Sequence, residues 1–309
     1  MKLIQNINNF LESCEQEIYL TVGNFDGVHL GHRDFLSKIK QEADATHSLF
    51  VVLTFTPHPL VVIKAQSQFL INTYHEKRQL LEGLGVDYLY ELEFNRDFST
   101  MSPEDFLNNF ILFSTKVARV YFGHDFQFGA HKSGGFELAF REGAKKNILV
   151  SQSQEYLHFG QKVSSSTIRN LLKSGDVQLA SKLLGRPFFI SGRVIKGVGR
   201  GRQIGFPTAN LGYDKDILIP SNGVYVTRTS IGKMQYFSVT NVGLNPTFET
   251  GYSIHIETHL MDFNRDIYGE EIQVHFLQKI RDEIKFSSVN ELVQQINLDL
   301  VQAKKIHES

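Results

Sequence analysis

His29 and His32 stand three residues apart in the run Gly23-Asn24-Phe25-Asp26-Gly27-Val28-His29-Leu30-Gly31-His32. An apolar stretch precedes the run (Ile18, Tyr19, Leu20, Val22) and an amphipathic one follows it (Phe35, Leu36, Ile39), so the segment reads as strand, glycine turn and helix. A helix that starts where a strand ends presents free backbone N–H groups and the positive end of a dipole, which together favour a phosphate. At that spacing in a first helical turn, both imidazoles would share one face, and Gly31 would leave a phosphate oxygen room to approach the backbone. The run has no Ser or Cys nucleophile, so its chemistry would be charge stabilisation rather than covalent catalysis. Ordinary surface histidines are the plain alternative.

A second candidate site lies far downstream, in Gly197-Val198-Gly199-Arg200-Gly201-Arg202-Gln203-Ile204-Gly205-Phe206-Pro207-Thr208-Ala209-Asn210. A dinucleotide fingerprint is excluded, because Pro207 falls where the required helix should be running. The glycines Gly197, Gly199, Gly201 and Gly205 instead suggest a backbone-rich loop able to wrap phosphates. Thr208 and Asn210, two apart in an extended segment, would offer a hydroxyl and an amide oxygen to one Mg²⁺. Turn residues without a ligand are the alternative. In Ser253-Ile254-His255-Ile256-Glu257-Thr258-His259 the alternation puts His255, Glu257 and His259 on one strand face. Glu257 there is a solvated carboxylate, one member of a His-x-Glu-x-His metal set, or a general base for a substrate hydroxyl.

The elements that must hold these residues change character along the chain. Up to about residue 183, short apolar runs alternate with helical patterns. Phe50 to Phe55 and Val117 to Phe122 read as strands, Tyr88-Leu89-Tyr90 as extended, Lys77 to Gly83 as a helix, and Ser102-Pro103 as the start of another carrying Phe106, Phe110 and Ile111. Such alternation implies a parallel sheet covered by helices, with ligands at the carboxyl ends of its strands. Thr56-Pro57-His58-Pro59 and Gly123-His124-Asp125-Phe126-Gln127-Phe128-Gly129 both fall at such ends. Ser164-Ser165-Ser166-Thr167-Ile168-Arg169 opens a helix, either as a triphosphate cradle or as a simple cap.

Beyond the break at Lys173 to Pro187 the chain has strand grammar. Val224 and Val226, Gly232 and Phe237 to Thr240 suggest a hairpin, and Ser253 to Leu260 and Glu271 to Phe276 read as further strands. Many short strands with glycine turns imply an antiparallel barrel. A last amphipathic helix follows, with Ser288 and Glu291 as its capping box.

Composition sets outer bounds. With 309 residues the chain has room for two domains of about 100–200 residues each, and 41% hydrophobic residues supply their cores. A formal charge of −1 and no polybasic run argue against a nucleic-acid partner. Cys14 is the single cysteine, which excludes an intrachain disulfide. Met1 to Asn9 has no apolar signal core and no run of about 18 apolar residues occurs, so a soluble cytoplasmic protein with no membrane association is expected.

Gly-x-Phe-Asp-Gly-x-His-x-Gly-His at 23–32 resembles the signature of the HxGH nucleotidyltransferases. Gly201 to Asn210, Asn241 to Phe248, Glu257-Thr258-His259-Leu260 and Asp266-Ile267-Tyr268-Gly269 look like riboflavin kinase. Together, in this order, they make the chain similar to the bacterial bifunctional riboflavin kinase/FAD synthetase family over nearly its full length. Phe55 to Pro59, Gly123 to Gly129 and Arg281-Asp282-Glu283-Ile284-Lys285-Phe286 also fit.

The resemblance implies a Rossmann-like adenylyltransferase domain over 1–183 and a β-barrel kinase domain with a terminal helix over 184–309. The barrel would phosphorylate riboflavin with ATP, Thr208 and Asn210 holding Mg²⁺ and phosphates under the glycine loop and Glu257 activating the hydroxyl. The first domain would then adenylylate FMN with a second ATP, yielding FAD and pyrophosphate. Gly23, Phe25, Asp26 and Gly31 would contact the nucleotide, His29 and His32 its phosphates, Ser164, Ser165 and Arg169 the triphosphate, and Asp125 and Phe126 the flavin. Two departures bear on the adenylylation rate: Ser166 stands where the family commonly has threonine, and Gln161 and Lys162 stand where some members have an arginine. A flavin-binding sensor without turnover is the competing class, and intact Glu257, His29 and His32 speak against it.

Overall fold

The computed structural model describes residues 1–158, 160–197, 199–247 and 251–308. Val198 and Phe248 of the motifs above lie outside them. The chain forms two compact units, Met1–Ser165 and Ser166–Ser309.

The first unit runs β1 (Lys2–Leu3), α1 (Ile7–Ser13), β2 (Ile18–Val22), α2 (Leu30–Ala45), β3 (Leu49–Thr56), α3 (Pro59–Lys64), α4 (Tyr74–Glu82), β4 (Tyr88–Glu93), α5 (Pro103–Phe106), β5 (Val117–Phe122), α6 (Phe136–Lys145) and β6 (Leu149–Gln152), followed by the small hairpin β7 (Leu157–His158) and β8 (Gln161–Lys162). Its six-stranded sheet has the order β1-β4-β3-β2-β5-β6, and every pairing is parallel. All five residues of β2 are buried, as a parallel strand covered on both faces requires. Ile18, Leu20 and Val22 join one core with Leu53, Phe106 and Phe122, while Tyr19 joins the other with Leu36, Phe50 and Leu81. From β2 the chain builds outward through β3 and β4, then returns to add β5 and β6 on the other side. The order therefore reverses between β2 and β5, and a crevice at that point is where open parallel sheets bind ligands. Gly23 follows β2 and Gly123 follows β5, so both glycine-led motifs flank the reversal.

Helix α4 begins at Tyr74, three residues before the expected start. Glu76 N–H donates to Thr73 Oγ1 (3.2 Å) and Thr73 N–H donates to Glu76 Oε2 (2.8 Å), a reciprocal cap that extends the helix backwards.

The second unit contains all but the first residue of α7 (Ser165–Ser174), then α8 (Val177–Leu184), β9 (Phe188–Ile195), α9 (Arg200–Gln203), β10 (Ala209–Tyr213), β11 (Gly223–Ile231), β12 (Met234–Thr247), β13 (Gly251–Leu260), β14 (Glu271–Arg281) and α10 (Val289–Glu308). Strands β10-β13-β12-β11-β14-β9 close into an antiparallel barrel. Thr227, Thr229, Ser238, Thr240 and Thr258 are buried in it and satisfy one another in a ring of hydroxyl contacts of 2.7–3.4 Å. The expected strand Glu271 to Phe276 continues to Arg281, because β11 keeps pairing with it through two register shifts. At the start of α10, Glu291 N–H donates to Ser288 Oγ (3.2 Å), but the Glu291 carboxylate accepts from Ser287 N–H (3.0 Å) rather than from Ser288. Arg281 donates from two nitrogens to Asp299 (Nε–Oδ1 3.0 Å, Nη2–Oδ2 2.7 Å), tying the helix to the end of β14.

Candidate active site

In the first unit the paired histidines meet face to face. Their rings stack with centroids 3.6 Å apart and planes 16° from parallel. His29 is not inside the first helical turn, as its spacing suggested; it is the N-cap of α2, with extended backbone (φ −71°, ψ 174°), and its Nδ1 accepts from His32 N–H at 3.2 Å. One otherwise unsatisfied N–H of the helix start is thereby matched, and the two rings are fixed on a common side.

The turn that carries them is tightly packed. Phe25 and Val28 adopt positive φ (47° and 38°), which costs energy in non-glycine residues and persists only where surroundings enforce it. Phe25 is buried and sets its ring edge-on to His32 at 5.2 Å. A Cβ at Gly23 would lie 2.9 Å from that same ring, so glycine is required there. At Gly31 a Cβ would lie 3.3 Å from the His29 ring and 3.3 Å from Tyr156 Cβ, so both side chains pack close to this glycine. Asp26 also differs from its expected use. Both carboxylate oxygens accept from Ile71 N–H (3.1 and 3.2 Å), and its carbonyl accepts from Ser165 Oγ (2.8 Å), so this buried residue latches the turn to the protein.

Lys77 was missed by sequence reading. It is buried beneath the turn, and its Nζ donates to Thr54 Oγ1 at 3.0 Å and to the Asn24 carbonyl at 3.4 Å. Burial pushes its ammonium down to about 8, against the opposing pull of Asp26 and Glu91. A signal was available: Lys77 precedes the buried Leu81 by four residues on one helix, which puts both on one face.

Of the remaining first-domain candidates, Asp125 is exposed, with His124 Nδ1 3.7 Å from its carboxylate. Phe126 stacks on Phe122 (5.4 Å) and lies 6.0 Å from Phe128, as part of an aromatic cluster against the core. Lys162 pairs with Glu155 at 2.8 Å on the surface. Ser164 immediately precedes α7, Ser165 opens it, and Arg169 is buried one turn along it.

In the barrel, register brings the kinase candidates into one row. Asn210 pairs with Glu257 across β10 and β13, and Asn241 pairs with Glu257 across β12 and β13. Directly opposed residues share a face. Ala209, Leu211, Ile256 and Thr258 are buried toward the interior, leaving Asn210, Asn241 and Glu257 half-buried on the outer face. Asn241 was read only as part of a motif, and its neighbourhood with Glu257 comes from register, which one strand's sequence does not contain. The glycine loop lies on this row: a Cβ at Gly197 would sit 2.3 Å from Asn210 Nδ2, and one at Gly201 would sit 3.3 Å from Thr208 Oγ1 and 2.4 Å from the Phe206 carbonyl. The loop is not wholly irregular, since Arg200–Gln203 make one helical turn that ends before Pro207.

Among the described residues no three His, Cys, Asp or Glu side chains converge as a metal set, which removes the His-x-Glu-x-His reading; His259 Nδ1 is instead 2.8 Å from the Pro207 carbonyl. Thr208 and Asn210 fit a different ion. They carry hard oxygen donors, the donor chemistry that Mg²⁺ takes together with phosphates, and Gly197 and Gly201 pack directly against them.

Both arrangements suit phosphate chemistry, the one at a helix start and the other under a glycine loop. The FAD synthetase family model matches residues 11–167 and the riboflavin kinase model matches residues 184–307. Bifunctional riboflavin kinase/FMN adenylyltransferases of Buchnera aphidicola, Escherichia coli and Bacillus subtilis are 36%, 35% and 35% identical to the chain; they cover 99%, 99% and 97% of it, over 98%, 97% and 96% of their own lengths. A crystal structure described as a macrolide-efflux protein from Streptococcus pneumoniae matches with a TM-score of 0.84 and 31% identity, over 98% of each chain. Among the described residues no helix is long and apolar enough to cross a membrane. The chain belongs to the bifunctional riboflavin kinase/FMN adenylyltransferase family.

Proposed function

We propose that the chain makes FAD in two steps at two separate sites, with the functional boundary at 183/184. In the barrel, ATP phosphorylates riboflavin: Glu257 takes the proton of the acceptor hydroxyl, Asn210 and Thr208 hold the phosphates, and the Gly197 to Gly205 loop covers them. The register row Asn210–Glu257–Asn241 carries this assignment, because it sets a base beside two polar groups on one face. Mg²⁺ held by Thr208 and Asn210 would neutralise charge on the transferring phosphates.

At the β2–α2 turn, FMN phosphate attacks the α-phosphorus of a second ATP and pyrophosphate leaves. The stacked His29–His32 pair carries this assignment, since two rings fixed at a helix start form a preorganised site for the charge that builds on the α-phosphate. Gly23 and Phe25 shape the nucleotide side, and Asp26 and Gly31 act by holding the turn. Ser164 and Ser165, with Arg169 one turn further along α7, serve the triphosphate, while Asp125 and Phe126 serve the flavin. A single cysteine and a formal charge of −1 without a polybasic run support a cytoplasmic, small-molecule enzyme with no membrane or nucleic-acid partner.

The purified chain, incubated with riboflavin, ATP and Mg²⁺, should yield FMN, then FAD and pyrophosphate, resolved by chromatography. No FMN from riboflavin would sink the kinase assignment, and no FAD from supplied FMN would sink the adenylyltransferase assignment.

A further inference from the structure

Lys77 belongs to no motif that identified either reaction, yet it is a lysine with only 5% of its surface exposed. A buried ammonium is costly unless it is well partnered. Its hydrogen-bond partners here are neutral oxygens: Thr54 Oγ1 at 3.0 Å and the Asn24 carbonyl at 3.4 Å. Thr54, fully buried near the end of β3, also donates to that Asn24 carbonyl at 3.3 Å. The face of Tyr74 lies 5.4 Å from Nζ.

The carbonyl held in this way belongs to the residue just before Phe25, the first positive-φ position of the turn. A strained turn needs over-determination by its neighbours. Asp26 is latched to Ile71 on one side of Phe25, and Lys77 and Thr54 clamp Asn24 on the other.

We propose that Lys77 is a positioning residue for adenylyl transfer: its buried ammonium, with Thr54, clamps the Asn24 carbonyl and so holds the Phe25 turn whose ring abuts His32. The proposal rests on the assignment of that reaction to this turn. Charged groups acting on Nζ are Asp26 in the turn, Glu91 on β4 and Arg78 on α4; Thr54 on β3 is neutral, and the Tyr74 hydroxyl accepts from His58 N–H at 2.8 Å. The neutral amine would keep two N–H donors but lose the charge that strengthens both bonds; with the pKa lowered to about 8 by burial, the clamp weakens as pH rises through that value.

The test uses the full chain with Lys77→Met, Lys77→Arg and Thr54→Val. FAD formation from FMN is measured between pH 6.5 and 9.5, and FMN formation from riboflavin in the same preparation controls for folding and concentration. Lys77→Met should lower kcat for FAD formation at least tenfold at pH 7, with KM for ATP changed less than threefold and FMN formation unchanged. The unsubstituted chain should lose FAD-forming activity above about pH 8; that fall should be absent in Lys77→Met and in Lys77→Arg, the latter keeping a substantial part of the activity. Thr54→Val should cost severalfold in kcat alone.

An unchanged kcat and alkaline fall in Lys77→Met overturns the proposal, as does equal loss of both reactions in soluble protein. Should Lys77→Met fail to fold, an unshifted alkaline fall in Lys77→Arg or unchanged kcat in Thr54→Val overturns it. No FAD from the unsubstituted chain would instead sink the assignment of the reaction, and the proposal with it.

Discussion

The two glycine-rich segments use glycine for different ends. Around residues 23–32 the missing side chains make room for rings: Phe25 fills the space at Gly23, and His29 and Tyr156 pack close to Gly31. Around residues 197–205 they let backbone press on polar groups, with Gly197 on the Asn210 amide and Gly201 on Thr208 Oγ1 and the Phe206 carbonyl. The first segment is accordingly mostly buried, including Phe25, Asp26, Val28 and His29, whereas Gly197, Gly199, Arg200, Arg202, Gln203 and Gly205 of the second are exposed. A site whose task is to meet charge developing in a transition state gains from rigidity set before substrate arrives. A loop that covers phosphates must first let them in. On the proposed assignment the two transfers divide between a packed turn and an exposed cover.

The most direct way to break this division is to remove the group that each reaction depends on. Glu257→Ala should lower FMN formation by about 10³-fold, the scale of a lost general base, and leave FMN-to-FAD conversion intact. His29→Ala or His32→Ala should each cost FAD formation about 10²–10³-fold, the scale of losing one preorganised donor, with FMN formation spared. Both are read by chromatography of the flavins with riboflavin or FMN as the starting substrate. If either change damaged both reactions equally, the two sites would not be separate.

Much of this architecture is legible from local signals in the amino-acid sequence. The strand, turn and helix around Gly23 follow from period and glycine alone, and β5 spans the run that its apolar residues mark out. Whatever depends on a distant partner is not legible. Asp26 reads as a phosphate-site residue until Ile71, 45 positions away, is found to donate to it. Gly31 reads as open space until Tyr156 is found beside it. Lys77 shares a helix face with Leu81, which hints that it turns inward, but its partner Thr54, 23 positions away, is not legible from that spacing. Asn241 joins Glu257 through antiparallel register, which pairs residues 16 apart. The three-residue error at the start of α4 is of another kind, since Thr73 and Glu76 spell a capping box in the sequence itself.

One substitution made in both segments sharpens the comparison. Gly197→Ala would put a methyl 2.3 Å from Asn210 Nδ2, so the amide must move from the row it shares with Glu257. Displacement of a positioning group by about 1 Å can cost about 100-fold, so FMN formation should fall by up to that factor with FAD formation from FMN unchanged. Loss of FAD formation instead would contradict the assignment of this loop to the kinase.

Gly31→Ala is the smaller case. Its methyl would meet the His29 ring and Tyr156 Cβ at 3.3 Å, a tight approach that asks neighbours to yield by only a few tenths of an ångström. His29 can give way by turning slightly off its rotamer, which costs about 0.5–1 kcal/mol and corresponds to about a two- to fivefold loss in FAD formation. Stability should hardly change, because Gly31 lies in the first turn of α2, where alanine is the better helix former. Thermal melts and FAD-forming kinetics measured on the same sample separate these effects. A loss of Gly197→Ala size at Gly31, with the melt unchanged, would show that a phosphate needs the space at Gly31 after all, and would return that glycine from packing to binding.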